Sequence, residues 1–318
     1  MKGNTKLHRG LLVSMVLLIM VLSGCGGGIK PTDRDTPTTG RTMVGLDDSY
    51  SLLISAERMT FESLYPYAKI DTFCRSEAEV IDAFMMDSLQ LMIVSRKLTS
   101  DEEARLKAGQ FYPKTTKIAY DAIAFIINKE NPDTTLFYDK IQAIFNGKIK
   151  TWKEINPASK LTDFKLVFDN YKSGNTRFFR EKFQLNKLPD VCYALNNNAE
   201  VIDFVEKNKS AVGVISVNWV SNRDDTVSHS FLSKVKVVSV SAPGMNDPKG
   251  IFYTPHPGYI AEGYYPFTRE VFCVNRQTYS GLAFGFSSFI AGEKGQLIVL
   301  HAGMVPATMP VRLVEIKH

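Results

Sequence analysis

From residue 42 onward the hydrophobic positions follow two rhythms, short unbroken apolar runs and stripes spaced three or four residues apart. The runs read as buried strands and the stripes as amphipathic helices. Strands are predicted at Thr42–Leu46, Leu89–Val94, Ile118–Asn128, Lys165–Phe168, Ala211–Val217, Lys234–Val240 and Glu270–Val274. A helix is predicted behind Asp47-Asp48-Ser49, with Leu52, Leu53, Ala56, Met59 and Phe61 as its apolar positions. Another covers 76–87, and a third opens at Thr99/Ser100, with acids three residues on as in a capping box, and ends at Gly109. Further helices run from Thr134 or Thr135 to Phe145, from Ser173 past Phe183, over 198–207, and over 278–302 as one or two pieces. Alternating strands and helices point to α/β layers with mostly parallel sheets. Ligands of such sheets sit beyond the carboxyl ends of strands, against helix N-termini. Asp47–Tyr50, Ser95-Arg96 and Ser173–Arg177 lie at such places.

The N-terminus has a different pattern. Lys2, Lys6 and Arg9 precede an apolar run from Leu11 to Leu22, interrupted only by Ser14. Twelve helical residues span about 18 Å, against a hydrocarbon core of about 30 Å, so the run is a signal peptide and not a membrane span. It ends in Leu22-Ser23-Gly24-Cys25, which resembles a bacterial lipoprotein signal, with Cys25 the acylated residue. Residues 26–41 are glycine, proline, threonine and charge, with Ile29 the one large apolar side chain, and read as a flexible tether.

Composition narrows the function classes. The chain has 318 residues, 44% apolar and 22% charged, enough for two domains of ordinary size. The net charge of +5 is too small for a nucleic-acid protein, and loss of Lys2, Lys6 and Arg9 with the signal peptide brings it lower still. Cys74, Cys192 and Cys273 have no metal-site spacing and read as small buried hydrophobes. No nucleophile-elbow, zinc-protease or phosphate-loop motif accompanies the histidines, so nothing supports an enzyme, and no cofactor is implied.

Several stretches, taken in order, resemble the phosphate-binding protein of bacterial phosphate ABC transporters. They are Asp121-Ala122 within a hydrophobic strand, Asn128–Pro132, Ile144–Gly147 closing a helix, Lys148–Glu154 (KIKTWKE), Val212–Val220, Tyr265–Arg269 (YPFTR) and Gly292–Pro306. The resemblance covers roughly 42–310. It implies a type II periplasmic binding protein: two α/β lobes joined by two crossings and closing on an anion. The expected division is a signal peptide at 1–24, a tether at 25–41, one lobe at 42–120 plus 255–318, and the other at 121–254. The crossings fall near Tyr120–Ala122, making Tyr120 and Asp121 hinge or cleft residues, and near 245–260. The implied partners are inorganic phosphate or a similar oxyanion, an ABC permease, and a membrane reached through the lipid anchor. A sensor or surface interaction lipoprotein on the same fold stays open as the alternative.

A tetrahedral oxyanion needs many hydrogen-bond donors, and helix N-termini with small hydroxyl residues supply them. Ser173-Gly174-Asn175-Thr176-Arg177 fits, and resembles the family's Ser-Gly-Thr-Arg loop with Asn175 inserted. The resemblance makes Ser173, Thr176 and Arg177 donors, with Gly174 bringing the backbone close. Ser95 stands at the end of its strand as in the family. Arg96 either grips the anion through two nitrogens or faces solvent. Ser49 is a further donor, while Asp47 and Asp48 would repel an anion and read first as helix caps.

Overall fold

The computed structural model describes residues 35–310 apart from 162, 222–225 and 248. The expected signal peptide, Cys25 and most of the tether lie outside the described residues. Among those described, no helix is long and apolar enough to cross a membrane.

The chain opens with β1 (Gly40–Asp47), a 3-10 turn (Asp48–Tyr50), α1 (Ser51–Leu64), β2 (Ala68–Arg75), α2 (Glu77–Met85), β3 (Leu91–Val94), α3 (Ser100–Ala108) and β4 (Lys114–Asn128). It continues through β5 (Thr135–Leu136), α4 (Tyr138–Phe145), α5 (Trp152–Ile155), β6 (Lys165–Phe168), α6 (Gly174–Lys182), β7 (Cys192–Ala194), α7 (Asn198–Lys207) and β8 (Ala211–Ser216). A second 3-10 turn (Val217–Trp219) leads to α8 (Thr226–Lys234), β9 (Val235–Val237), β10 (Ser239–Ser241) and β11 (Phe252–Tyr253). The last elements are α9 (Pro257–Ala261), β12 (Thr268–Asn275), α10 (Leu282–Ala291), α11 (Glu293–His301) and β13 (Val305–Pro306).

The main sheet has the order β2-β1-β3-β12-β4-β8-β6-β7. Its organising element is β4, 15 residues long and therefore about 50 Å from end to end. The first part of β4 pairs antiparallel with β12 as far as Ala122, and from Ile123 it pairs with β8 instead. One strand thus serves two α/β lobes, and its change of partner falls beside Asp121. The chain leaves β11 after Tyr253 and returns to β12 through α9, which packs on β4 and β13.

Pairings away from the crossings are parallel: β1 with β2 and β3, and β6 with β7 and β8. The crossing strands are antiparallel to their neighbours, a feature that the alternation of strands and helices does not specify. A strand that carries the chain out of a lobe meets its neighbours head to tail. Other differences have local causes. β2 was not predicted, because as an edge strand it exposes Lys69 and Arg75 and has no apolar run. Thr135 does not cap α4; it pairs with β10, and the helix begins at Tyr138. The run 234–240 splits at Val238, since β9 pairs with β4 and β10 with β5. Gly40 and Arg41, expected in the tether, belong to β1. Asp35 is already held, accepting from Leu282 N at 2.6 Å and Gln277 Nε2 at 3.1 Å at the start of α10.

The second lobe is built around stacked aromatic side chains. Phe179 on α6 packs against Phe125, Phe145, Phe168, Phe183 and Phe267, so α6 is locked onto the sheet and its N-terminus is aimed at the gap between lobes. In the first lobe, Glu57 on α1 is fully buried and neither carboxylate oxygen has a partner. Burial pushes its carboxyl up to about 9. A carboxyl whose folded pKa lies above its unfolded value takes stability away as pH rises through the interval between them. Stability of the wild-type chain should therefore fall between about pH 4.5 and 9, by up to about 1.4 kcal/mol per pH unit. Glu57→Gln should flatten that slope in urea unfolding; an equally steep slope in the variant would exclude Glu57 as its source.

Candidate functional site

The polar groups that meet between the lobes come from the carboxyl ends of strands and the starts of helices. From the first lobe come Asp47 at the end of β1, Ser49 in the turn after it, Glu77 opening α2, Ser95 following β3, and Arg269 in β12. From the second come Asp169 following β6, Gly174 and Arg177 at the start of α6, Asn198 opening α7, Ser216 at the end of β8, and Asn218 in the turn after it. All but Arg177, which keeps part of its surface exposed, are buried.

Carboxylates of the first lobe, together with Ser95 and the carbonyl of Ser49, accept the bonds across the gap. Asp47 Oδ1 accepts from Ser49 N at 2.8 Å, the capping role read from the sequence, and Oδ2 accepts from Gly174 N of the opposite lobe at 2.9 Å. Asp48 accepts from Asn198 N at 2.7 Å and Asn198 Nδ2 at 2.8 Å. Glu77 Oε1 accepts from Ser95 N at 2.8 Å and Ser95 Oγ at 2.6 Å, while Oε2 accepts from Arg177 Nε. Arg177 Nη2 also donates to Ser95 Oγ at 2.9 Å and Ser95 O at 3.1 Å. Ser49 O accepts from Asn218 Nδ2 at 2.6 Å and Trp219 Nε1 at 3.1 Å. Two helix N-termini of the second lobe, α6 and α7, are thus met by adjacent carboxylates of the first, where the helix dipoles favour negative charge.

Beside this seam, Asp121 accepts from Ser216 Oγ at 2.8 Å and Arg269 Nε at 2.9 Å. Arg269 Nη2 lies 2.8 Å from the same carboxylate in an ionic contact without hydrogen-bond alignment. Arg269 Nη1 and Ser49 Oγ are buried and have no partner. Buried donors are almost always bonded, so these two stand out among the polar atoms of the seam.

The charges are tuned by their surroundings. Burial raises the Asp47 carboxyl, Glu77's charge adds to that, and Arg269 opposes it. Burial acts upward on Glu77 too, but Arg177 and Ser95 outweigh it and hold the carboxyl below its usual value. Asp169 is pushed up to about 7 by burial and by Asp47. Burial also raises Asp121, against the pull of Arg269. Among the described residues, no group of acids, histidines and cysteines is arranged to hold a metal ion.

The expected site residues separate into two groups. Ser49, Ser95, Gly174 and Arg177 come together at the seam. Ser173 turns back to donate to Asp169 at 2.7 Å and caps α6, Asn175 Nδ2 donates to Asp169 at 3.1 Å, and Thr176 Oγ1 donates to Asn170 O at 2.7 Å. Arg96 is gripped by Glu102 through two bonds of 2.7 Å. Asp121 sits at the crossing, while Tyr120 faces Lys117 on the same strand. Glu77, Asp169, Asn198 and Arg269 were missed as site residues. Asp169 directly follows an apolar strand and Arg269 closes the YPFTR motif, so both had a sequence signal. Glu77 looked like an ordinary first-turn acid.

A family model for the PBP superfamily domain matches residues 33–294. The chain belongs to the PBP superfamily. Among similar curated proteins, the phosphate-binding protein PstS of Staphylococcus aureus is 25% identical over 285 residues, covering 87% of this chain and 81% of that one. Its counterpart from Staphylococcus haemolyticus is 27% identical over 210 residues, 65% of this chain; the match spans 62% of that relative's length, less than two thirds. A solved structure from Clostridium perfringens, described as a phosphate ABC transporter substrate-binding protein with bound phosphate, superposes with a TM-score of 0.69 at 24% identity. It covers 85% of this chain and 100% of its own. The fold of this PBP-superfamily chain is accordingly the two-lobed type II periplasmic binding arrangement.

Gly174 is required at its position by space. A Cβ there would lie 2.5 Å from Ser95 Oγ, 3.1 Å from Glu77 Oε1 and 3.2 Å from Arg269 Nη1. Alanine ordinarily favours a helix over glycine. Here Gly174→Ala should instead push α6 off Ser95 and cost about 1–3 kcal/mol of stability. Urea unfolding checks this, and unchanged or raised stability would contradict the close packing.

Proposed function

We propose that this chain is an extracytoplasmic solute-binding protein that captures inorganic phosphate between its lobes and passes it to an ABC permease, anchored to a membrane face through lipid on Cys25. The anchoring rests on the N-terminal sequence alone. The observation that carries the capture reading is the convergence of donors from both lobes. Gly174 N at a helix N-terminus, Ser95 N and Oγ, and the Arg177 guanidinium all donate at the seam, with Ser49 Oγ and Arg269 Nη1 unpartnered beside them. Most of these donors are neutral or fixed in the backbone, which suits an anion held by dipoles instead of a broad basic field. The PstS name of the Staphylococcus relatives and the phosphate in the Clostridium structure support phosphate as that anion. Binding by residues of both lobes would favour the closed form. The reading is of a binder, with Arg177, Ser95, Gly174, Ser49 and Arg269 as its contacts.

A second reading is favoured by the carboxylates of Asp47 and Glu77, which already fill Gly174 N, Ser95 and Arg177, and by Asp48, which fills the start of α7. On it the fold is kept as a sensor or surface interaction lipoprotein with no transport role. Calorimetric titration with phosphate and sulfate separates the two. Capture predicts heat with phosphate and a loss of about 1.5–3 kcal/mol in Arg177→Ala, the worth of a charge-assisted bond. Silence with phosphate across about pH 6–8 would remove capture and leave the second reading.

A further inference from the structure

Ser49 Oγ and Arg269 Nη1 are free at the seam, but the other donors proposed to hold an oxyanion are occupied by the protein's own oxyanions. Gly174 N donates to Asp47 at 2.9 Å, and Ser95 N, Ser95 Oγ and Arg177 Nε all donate to Glu77. Both acids belong to the first lobe and are buried. The start of α6 is packed so closely on Ser95 and Glu77 that even a methyl group on Gly174 would collide. An incoming anion therefore does not enter an empty pocket. It must take donors from Asp47 and Glu77.

We propose that Asp47 and Glu77 are built-in competitors for the anion, so that they set both the affinity of the site and its coupling to proton uptake. This rests on the capture reading above. Glu77 is 2% exposed and owes its ionisation to Ser95 and Arg177. Once those donors turn to the ligand, its carboxylate is left buried beside a second negative charge. A buried charge without partners neutralises. The groups around Glu77 are Ser95, Arg177, Asp47, Arg269 and, at longer range, Arg96. Those around Asp47 are Ser49 N, Gly174 N, Glu77 and Arg269, with Asp169, Tyr50 and Cys74 on its other sides. The neighbouring cations are already engaged: Arg269 by Asp121, Arg96 by Glu102, and Arg75, the strand partner of Asp47, by the carbonyl of Cys74. The liganded protein consequently carries more protons than the free one, and affinity rises as pH falls.

The test is phosphate titration of the wild-type chain, Glu77→Gln and Asp47→Asn, each in two buffers of different ionisation heat at about pH 8. The expected result is proton uptake by the wild type, less uptake in Glu77→Gln, and phosphate bound about tenfold more tightly by Glu77→Gln, the equivalent of one charge-assisted bond released. Asp47→Asn should tighten binding in the same direction and serves as the second variant. Wild-type binding without proton uptake, or with affinity unchanged or weakened in both variants, overturns the competitor role and leaves phosphate capture standing. Binding by the variants but not by the wild type supports the competitor role and removes capture as the native activity. Silence from all three overturns both.

Discussion

Closure of this molecule depends on carboxylates set against a helix start. Asp47 and Glu77 hold the first turn of α6 from the opposite lobe, and Asp48 does the same for α7 through Asn198. A helix N-terminus offers backbone N–H groups with no partner inside the helix, together with the positive end of the dipole. A carboxylate satisfies that end as a tetrahedral anion would. Because the acids sit at the carboxyl ends of β1 and the start of α2, the sheet of the first lobe fixes their position to within a hydrogen bond. Because α6 is locked by Phe179 into a bed of aromatic rings, its N-terminus cannot tilt away to relieve the contact.

The second constraint is the crossing. β4 gives its first part to β12 and its remainder to β8, and at the exchange Asp121 holds Arg269 on one side and Ser216 on the other. This ion pair is almost completely buried. A buried pair is weak evidence for stability but strong evidence for a fixed geometry, since either partner alone would be left uncompensated. Here it ties the first lobe, the crossing and the second lobe at one point and turns the free Nη1 of Arg269 toward Gly174. The seam and the crossing thus share a side chain, which is how occupancy of one could be felt by the other.

Much of the fold was legible in the sequence because buried strands leave apolar runs and capped helices leave Asp, Ser and Thr signals. β3, β6, β8, α3 and α7 fall where those patterns put them, within a few residues. β2 was not legible, since an edge strand with one exposed face has no run. The antiparallel crossings were not legible either, because strand direction depends on which lobe the chain is leaving. For the site, the loop after Asp47, Ser95 and the Ser173–Arg177 start were placed by the helix-start rule. What pattern could not supply was the pairing across lobes. Glu77 and Gly174 are far apart in the chain, and a first-turn acid of α2 looks like a cap until α6 is seen against it. Arg96 shows the converse: its position beside Ser95 pointed to the anion, but Glu102 in the next capping box is nearer and takes both of its nitrogens.

The cleft is closed by its own carboxylates, and small-angle X-ray scattering of the protein, freed of anions by dialysis, tests this most directly. The expected result is the compact profile of the closed lobes before any ligand is added, with no contraction when phosphate is supplied. A wider anion-free particle that contracts on adding phosphate would contradict it.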